Sequence, residues 1–257
     1  MAIPNGRLRF DAAVDFTNEG VVLRRVSLAN ELATADISGE LKGRDGDLNV
    51  ALACTPRGID YVNGYVTPLS MGGIRLDVKL EGPLQQPCIS VDVVADSLAL
   101  DTVSAGRLKG VFEIDYQRPY NQPDANPSIR AKGHLTGVRL EPPELHALLG
   151  EVINWSFDSI LHLDTEVIDI RDAVISTAFG RLSGSGQVAM GGQESDLRVT
   201  AEVNDLAPLS PIIHRPMTGT AKVESLIHSS DFRQGMAASL TGKLNGLSLG
   251  LWPETWF

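Results

Sequence analysis

The residues able to do chemistry are few and scattered. Five histidines, His134, His146, His162, His214 and His228, occur singly, with no second ligand three or four residues away, so each reads as a solvated or hydrogen-bonded imidazole. Cys54 and Cys88 lie too far apart for a CxxC site and lack the neighbouring histidines that zinc would need. They are either buried free thiols or one disulfide, and their spacing does not choose. The glycine-rich stretch Phe179-Gly-Arg-Leu-Ser-Gly-Ser-Gly lacks the Lys-Ser/Thr and the following helix of a phosphate-binding loop; a strand pattern follows instead. Carboxylates are numerous, but Asp77 and Glu81 fall on the polar side of an alternating segment, where solvation accounts for them. With no convergent nucleophile, base and anion stabiliser, the chain reads as a non-enzyme that implies no cofactor and no metal.

The elements that would position any site must come from 257 residues of which 43% are hydrophobic, enough for one large domain or two modest ones. Aromatic residues make up only 5% while glycine reaches 25, a balance that favours many short strands over a few long helices. The net charge of −10, with Lys and Arg scattered, excludes a nucleic-acid partner, which needs a basic stripe. No apolar run reaches the roughly 18 residues of a membrane-spanning helix. The start, Met1-Ala-Ile-Pro-Asn-Gly, has no export-signal pattern. A strand pattern nevertheless begins almost at once, and Leu247-Ser-Leu-Gly-Leu-Trp-Pro ends on one, so the chain reads as a piece of a longer polypeptide and the missing signal is discounted.

Period-two alternation dominates, placing apolar side chains on one face and polar ones on the other. Leu8, Phe10, Ala12, Val14 and Phe16 alternate with Arg7, Arg9, Asp11, Ala13 and Asp15. Ala33, Ala35, Ile37, Gly39 and Leu41 form the next strand, then Leu48, Val50 and Leu52. Ile74, Leu76, Val78 and Leu80 against Arg75, Asp77, Lys79 and Glu81 give one dry face and one charged face. Ile89, Val91 and Val93 repeat the beat, as do Leu108, Gly110, Phe112, Ile114 and Tyr116, and later Leu197, Val199, Ala201 and Val203. Turn chemistry separates them at Arg44-Asp-Gly, Glu81-Gly-Pro, Gly191-Gly and Asp205-Leu-Ala-Pro. The expected fold is all-β: one repetitive domain over 1–257, an elongated, curved antiparallel or solenoid-like sheet with one short helix. Two segments break the rhythm. The Pro-rich stretch 117–127 reads as a boundary or exposed insertion, and 142–155 reads as a short helix with prolines at its start and Leu145, Leu148, Leu149, Val152 and Ile153 on one side.

A glycine shortly after an apolar or hydroxyl position recurs in Ile37-Ser-Gly, Leu108-Lys-Gly, Leu182-Ser-Gly-Ser-Gly, Met217-Thr-Gly and Leu240-Thr-Gly. Such recurrence suggests stacked units, and glycine marking strand bulges is the competing account.

Three passages, Asp172-Ala-Val-Ile-Ser-Thr-Ala-Phe-Gly-Arg-Leu-Ser-Gly-Ser-Gly-Gln-Val, Asp205-Leu-Ala-Pro-Leu-Ser-Pro-Ile and Met217-Thr-Gly-Thr-Ala-Lys-Val, carry a resemblance to the TamB family within the AsmA-like bridge-like proteins of Gram-negative bacteria. The strand-and-glycine grammar extends over most of the chain, without invariant catalytic letters. The resemblance implies a periplasmic β-taco trough with an apolar lining, belonging to a protein anchored in the inner membrane by a segment not seen in this chain. It also implies an outer-membrane insertase barrel of the TamA type as partner, phospholipid acyl chains as ligand, and a role in outer-membrane protein assembly, secretion or lipid transport. Val50, Leu52, Ile74, Leu76, Val78, Leu80, Val91, Phe112 and Ile114, on the apolar side of the best-patterned strands, are the expected lining. Three rivals stand beside this: a self-packed β-sandwich or solenoid acting as a structural module, an outer-membrane barrel and a β-helix enzyme. The barrel is disfavoured by 5% aromatics and by Pro253 in its last strand, and the enzyme by the lack of a carboxylate cluster.

Overall fold

The computed structural model describes residues 8–54, 69–70, 72–100, 103–120, 122, 125–141, 150–189, 195–231 and 235–249. Nearly all of these are β-strand. In chain order they are β1 (Arg9–Phe16), β2 (Gly20–Ala29), β3 (Ala33–Lys42), β4 (Asp45–Cys54), β5 (Leu69–Ser70), β6 (Gly73–Pro83), β7 (Cys88–Leu100), β8 (Val103–Asp115), β9 (Ser128–Thr136), β10 (Arg139–Leu140), β11 (Val152–His162), β12 (Val167–Ser176), β13 (Gly180–Ala189), β14 (Ser195–Val203), β15 (Met217–Asp231) and β16 (Gly235–Leu249). They belong to one antiparallel sheet in which neighbours in space are nearly always neighbours in sequence, as alternating segments joined by short turns require. The expectation of an all-β antiparallel sheet holds. The chain divides into two compact units, residues 1–133 and 134–257.

The alternation that builds β3, β4, β6, β7 and β8 is plain in sequence, but β2 is hidden. Val21 and Leu23 pair with Leu41 and Gly39, Val26 and Leu28 with Ile37 and Ala35, and the register slips between Leu23 and Val26. The extra residue of this bulge flips the parity of the apolar positions, so a search for strict alternation fails there. An equivalent slip lies between Ile170 and Ala173 of β12.

Glycine answers both slips. Gly39 (φ 143) faces Leu23 and Gly186 (φ 139) faces Ile170, each beside a bulge. A Cβ on Gly39 would sit 2.0 Å from the Asp47 carbonyl oxygen, and one on Gly186 would sit 2.1 Å from that of Asp196. In β15 the register shifts again around Gly219. Gly39, Gly186 and Gly219 therefore mark bulges, whereas Gly110 and Gly242 lie in unbroken register.

The two units also share a turn. Thr17 N–H donates to the Gly20 carbonyl at 2.9 Å while Thr17 Oγ1 accepts from Gly20 N–H at 3.1 Å. Thr177 and Gly180 repeat these bonds at 2.9 and 3.2 Å. A threonine hydroxyl thus satisfies the backbone donor at the hairpin's tip.

The helix expected over 142–155 does not continue to its end, because Val152–Trp155 open β11; residues 142–149 lie outside the described ones. Gly150, at φ 68, adopts the left-handed conformation that glycine tolerates without strain. Beyond it Ile153, Trp155 and Phe157 alternate with Asn154 and Ser156, and branched and aromatic residues at period two favour a strand. Among the described residues helical structure is confined to a 3-10 turn, Ala207–Leu209, and one α-helical turn, α1 (Ser210–Ile213). The 3-10 turn falls where Asp205-Leu-Ala-Pro signals one, with Asp205 accepting from Ala207 N–H at 2.9 Å. In the Pro-rich stretch 117–127, Gln117 and Arg118 are exposed while Ala125 and Pro127 are buried.

Candidate functional site

Register brings together every lining residue named from the sequence. Across β3, β4, β6, β7 and β8, one row runs Ile37, Val50, Val78, Val91, Phe112. The row beside it runs Ala35, Leu52, Leu76, Val93, Gly110, and on the other side lies Gly39, Leu48, Leu80, Ile89, Ile114. Ile74, Ala95 and Leu108 begin a fourth. The residues expected as lining share a single face of the first unit, and no residue in these rows carries a polar side chain. At about 4.8 Å between strands, each full row spans about 19 Å.

Burial distinguishes this face from a closed core. Val50, Leu52, Ile74, Leu76, Val78, Leu80, Val91, Phe112 and Ile114 are all half-buried. The buried hydrophobic side chains described in this unit are alanines, Ala95, Ala105, Ala125 and Ala131. A sealed sandwich buries its large branched residues fully and leaves small ones at the margins. Here the large residues shield one another along the sheet and keep part of their surface open.

The opposite face is charged, and its pairs run two residues apart along a strand. Arg75 lies 2.9 Å from Asp77, Lys79 2.5 Å from Glu81 and Lys42 3.1 Å from Glu40. Hydrogen bonds that Lys79 and Lys42 donate to Glu81 and Glu40 raise the two lysine pKa values above the usual range. The Ser27 hydroxyl, donating to Asp36, holds that carboxyl below its ordinary value, with help from Arg25 at 3.4 Å. Asp77 nonetheless faces Asp92, and Asp47 stands between Glu40 and Glu81. Only a solvated face accommodates such like-charge neighbours.

Cys88 belongs to the charged side, opposite Glu81 and Asp115. It is exposed and free, which excludes the disulfide and corrects the expectation of burial. Backbone geometry explains the missing bond. Positions 54 and 88 pair with Ile74 and Glu81, seven residues apart on β6, or about 23 Å at 3.3 Å per residue, far beyond disulfide reach. Partial burial and then the carboxylates of Asp115, Glu113 and Glu81 push the thiol pKa up.

Sequence reasoning omitted from the lining Ile37, Leu48, Ile89 and Val93, which the same alternation displays, and Val26 and Leu28, which the β2 bulge conceals. In the second unit the equivalent apolar rows run Trp155, Ile175, Leu182, Ala201, Val223, Gly242 and Phe157, Ala173, Gly184, Val199, Ser225. In that unit a depression of about 290 Å³ is lined by Arg198, Glu224, Ser225, Leu226, Ser239 and Thr241. His228 Nδ1 lies 2.8 Å from Asp196, with both side chains exposed. His146 lies outside the described residues. Among the described residues no cluster of His, Cys, Asp or Glu is arranged to hold a metal, and no helix is long and apolar enough to cross a membrane. No protein-family model, no curated protein and no solved structure matches the chain.

Proposed function

We propose that the apolar face of the first unit binds acyl chains, and that the protein is a periplasmic, TamB-like envelope component acting by binding and passage rather than catalysis. One observation carries this reading: nine large apolar side chains in register across neighbouring strands, all half-buried, with no polar group among them. Each methylene removed from water gains about 0.8 kcal/mol, so a tail of ordinary length gains roughly 10 kcal/mol on such a surface. Hydrophobic burial alone then suffices, and no reactive group is needed. Phospholipid transport or outer-membrane protein assembly, with a TamA-type barrel as partner, is the role in keeping with the resemblance noted in the sequence.

The test places a photo-crosslinking amino acid at Val78 or at Lys79 and exposes the folded protein to vesicles of radiolabelled phospholipid. Adjacent strand positions face opposite sides, so capture is expected from position 78 and not from 79. Equal capture at both, or none at either while the protein stays folded, would overturn the proposal in favour of a self-packed structural module. Lipid extracted from the purified protein gives an independent check.

A further inference from the structure

Several charged pairs run two residues apart along a strand, as Arg75 with Asp77 and Lys79 with Glu81 do in the first unit. Arg198 of β14 has a carboxylate at the same spacing, Asp196, and does not pair with it. Asp196 instead reaches across to β15, where His228 Nδ1 lies 2.8 Å from its carboxylate. Glu224, the other carboxylate nearby, stands 3.5 Å from Lys222, whose ammonium is also 3.1 Å from Glu202. Arg198 is left exposed, with no ion pair among the described residues.

This guanidinium borders the depression of about 290 Å³ formed by β14, β15 and β16. Register fixes its surroundings. Arg198, Leu226 and Ser239 stand opposite one another across the three strands, and Thr200, Glu224 and Thr241 form the next row, two residues along and therefore on the same face. Leu226 is 53% exposed, an apolar patch among polar neighbours. The lining thus combines a free donor fork, a carboxylate acceptor, hydroxyls that serve as either and one apolar surface.

That combination selects a ligand class by charge. A phosphate drawn to Arg198 would meet the carboxylates of Glu224 and Asp196, and an ammonium drawn to Glu224 would meet Arg198 and Lys222. A neutral ligand escapes both conflicts. Neighbouring ring hydroxyls can accept from Arg198 while donating to Glu224, and the C–H edge of the same ring covers Leu226. Pockets for drug-sized ligands hold about 300–1,000 Å³, so a depression at the bottom of that range suits one ring.

We propose that this depression binds a single saccharide ring, its hydroxyls held by Arg198 and Glu224 and its C–H edge resting on Leu226. The site lies wholly on β14, β15 and β16 and is independent of acyl binding.

The test titrates isotope-labelled protein with the methyl glycosides of glucose, galactose, mannose and N-acetylglucosamine, and separately with inorganic phosphate, following backbone amides by NMR. At least one glycoside is expected to saturate in the millimolar range, shifting the amides of Arg198, Leu226 and Thr241 and leaving that of Val78 in place. Arg198→Gln and Glu224→Gln should each weaken this binding about tenfold, the loss of one charge-assisted hydrogen bond. Lys243→Ala, beyond the lining, should leave it unchanged, and retained amide dispersion shows that each variant is folded. Failure of every glycoside to saturate, shifts confined to other strands, or equal weakening by Lys243→Ala would overturn the proposal. Phosphate saturating at lower concentration than any glycoside would overturn it in favour of an anion site.

Discussion

In the first unit the row through Val50 and Val78 consists of Ile, Val, Val, Val and Phe; in the second, the row through Val199 reads Phe, Ala, Gly, Val, Ser. Turn chemistry and bulge placement are shared, yet this row is continuous in large side chains in the first unit and indented by small ones in the second. The second face also leaves Ile175, Leu182 and Val223 exposed, at 44%, 41% and 36%. The shared features belong to the backbone and the differing ones to the side chains, so the shape of the face changes without altering the sheet. Gly184 illustrates the point. Unlike Gly39 and Gly186 it has room for a methyl group, the nearest atoms lying 3.5 and 3.9 Å from a built Cβ. Its smallness shapes the face and is not demanded by the fold.

The sharpest way to break this contrast is to place a carboxylate on each face. Val78→Asp should lower stability by about 2–4 kcal/mol and abolish acyl capture, because an unpaired charge enters a continuous dry row. Val223→Asp, on the more open face, should lower it by less than about 1 kcal/mol. Urea unfolding of both variants decides the matter, and equal losses would dissolve the distinction between the units.

Next in size come the glycines. Gly39→Ala and Gly186→Ala should each cost on the order of 2 kcal/mol, since a methyl group there meets a cross-strand carbonyl and the backbone is at positive φ. Gly184→Ala should be neutral or slightly stabilising. A large loss at Gly184 would mean that its smallness is structural after all.

A smaller effect concerns Cys88. Its raised pKa makes the thiolate scarce, so alkylation in the folded protein should begin at higher pH than in the urea-unfolded chain. The same shift favours the folded state below the unfolded thiol's pKa, and this contribution disappears as pH rises through the folded value. Alkylation rates that coincide across pH would contradict the electrostatic account of the charged face. Smallest of all is Lys79→Ala, which should leave the urea midpoint unchanged, because a solvent-exposed ion pair is screened.

How far the sequence was legible follows from the bulges. Where alternation runs unbroken, as in β6 from Ile74 to Leu80, both the strand and the identity of its dry side can be read directly, and every expected lining residue lies on that side. Where one extra residue intervenes, as at Arg24 and Arg25 in β2, the period inverts midway and Val26 and Leu28 escape notice. The start of β11 failed for another reason. Val152 and Ile153 continue, in the sequence, a helix-like spacing begun at Leu145, and only the strand formed by Val152–His162 shows that they follow period two. Pairing across strands is likewise invisible to a single chain. That Asp77 faces Asp92, or that positions 54 and 88 pair with residues near opposite ends of β6, becomes known only with the register.

Within each unit the long strands nearly always pair with the next long strand in the chain, and the Thr17 and Thr177 turns close their hairpins over a handful of residues. Such contacts are local in sequence, so little loop entropy must be overcome before each pairing gains its hydrogen bonds. A strand emerging from the ribosome, or from a narrow translocation channel, therefore finds its partner already in place. The sheet can be laid down in the order of synthesis, each new strand widening the dry face by one more 4.8 Å step.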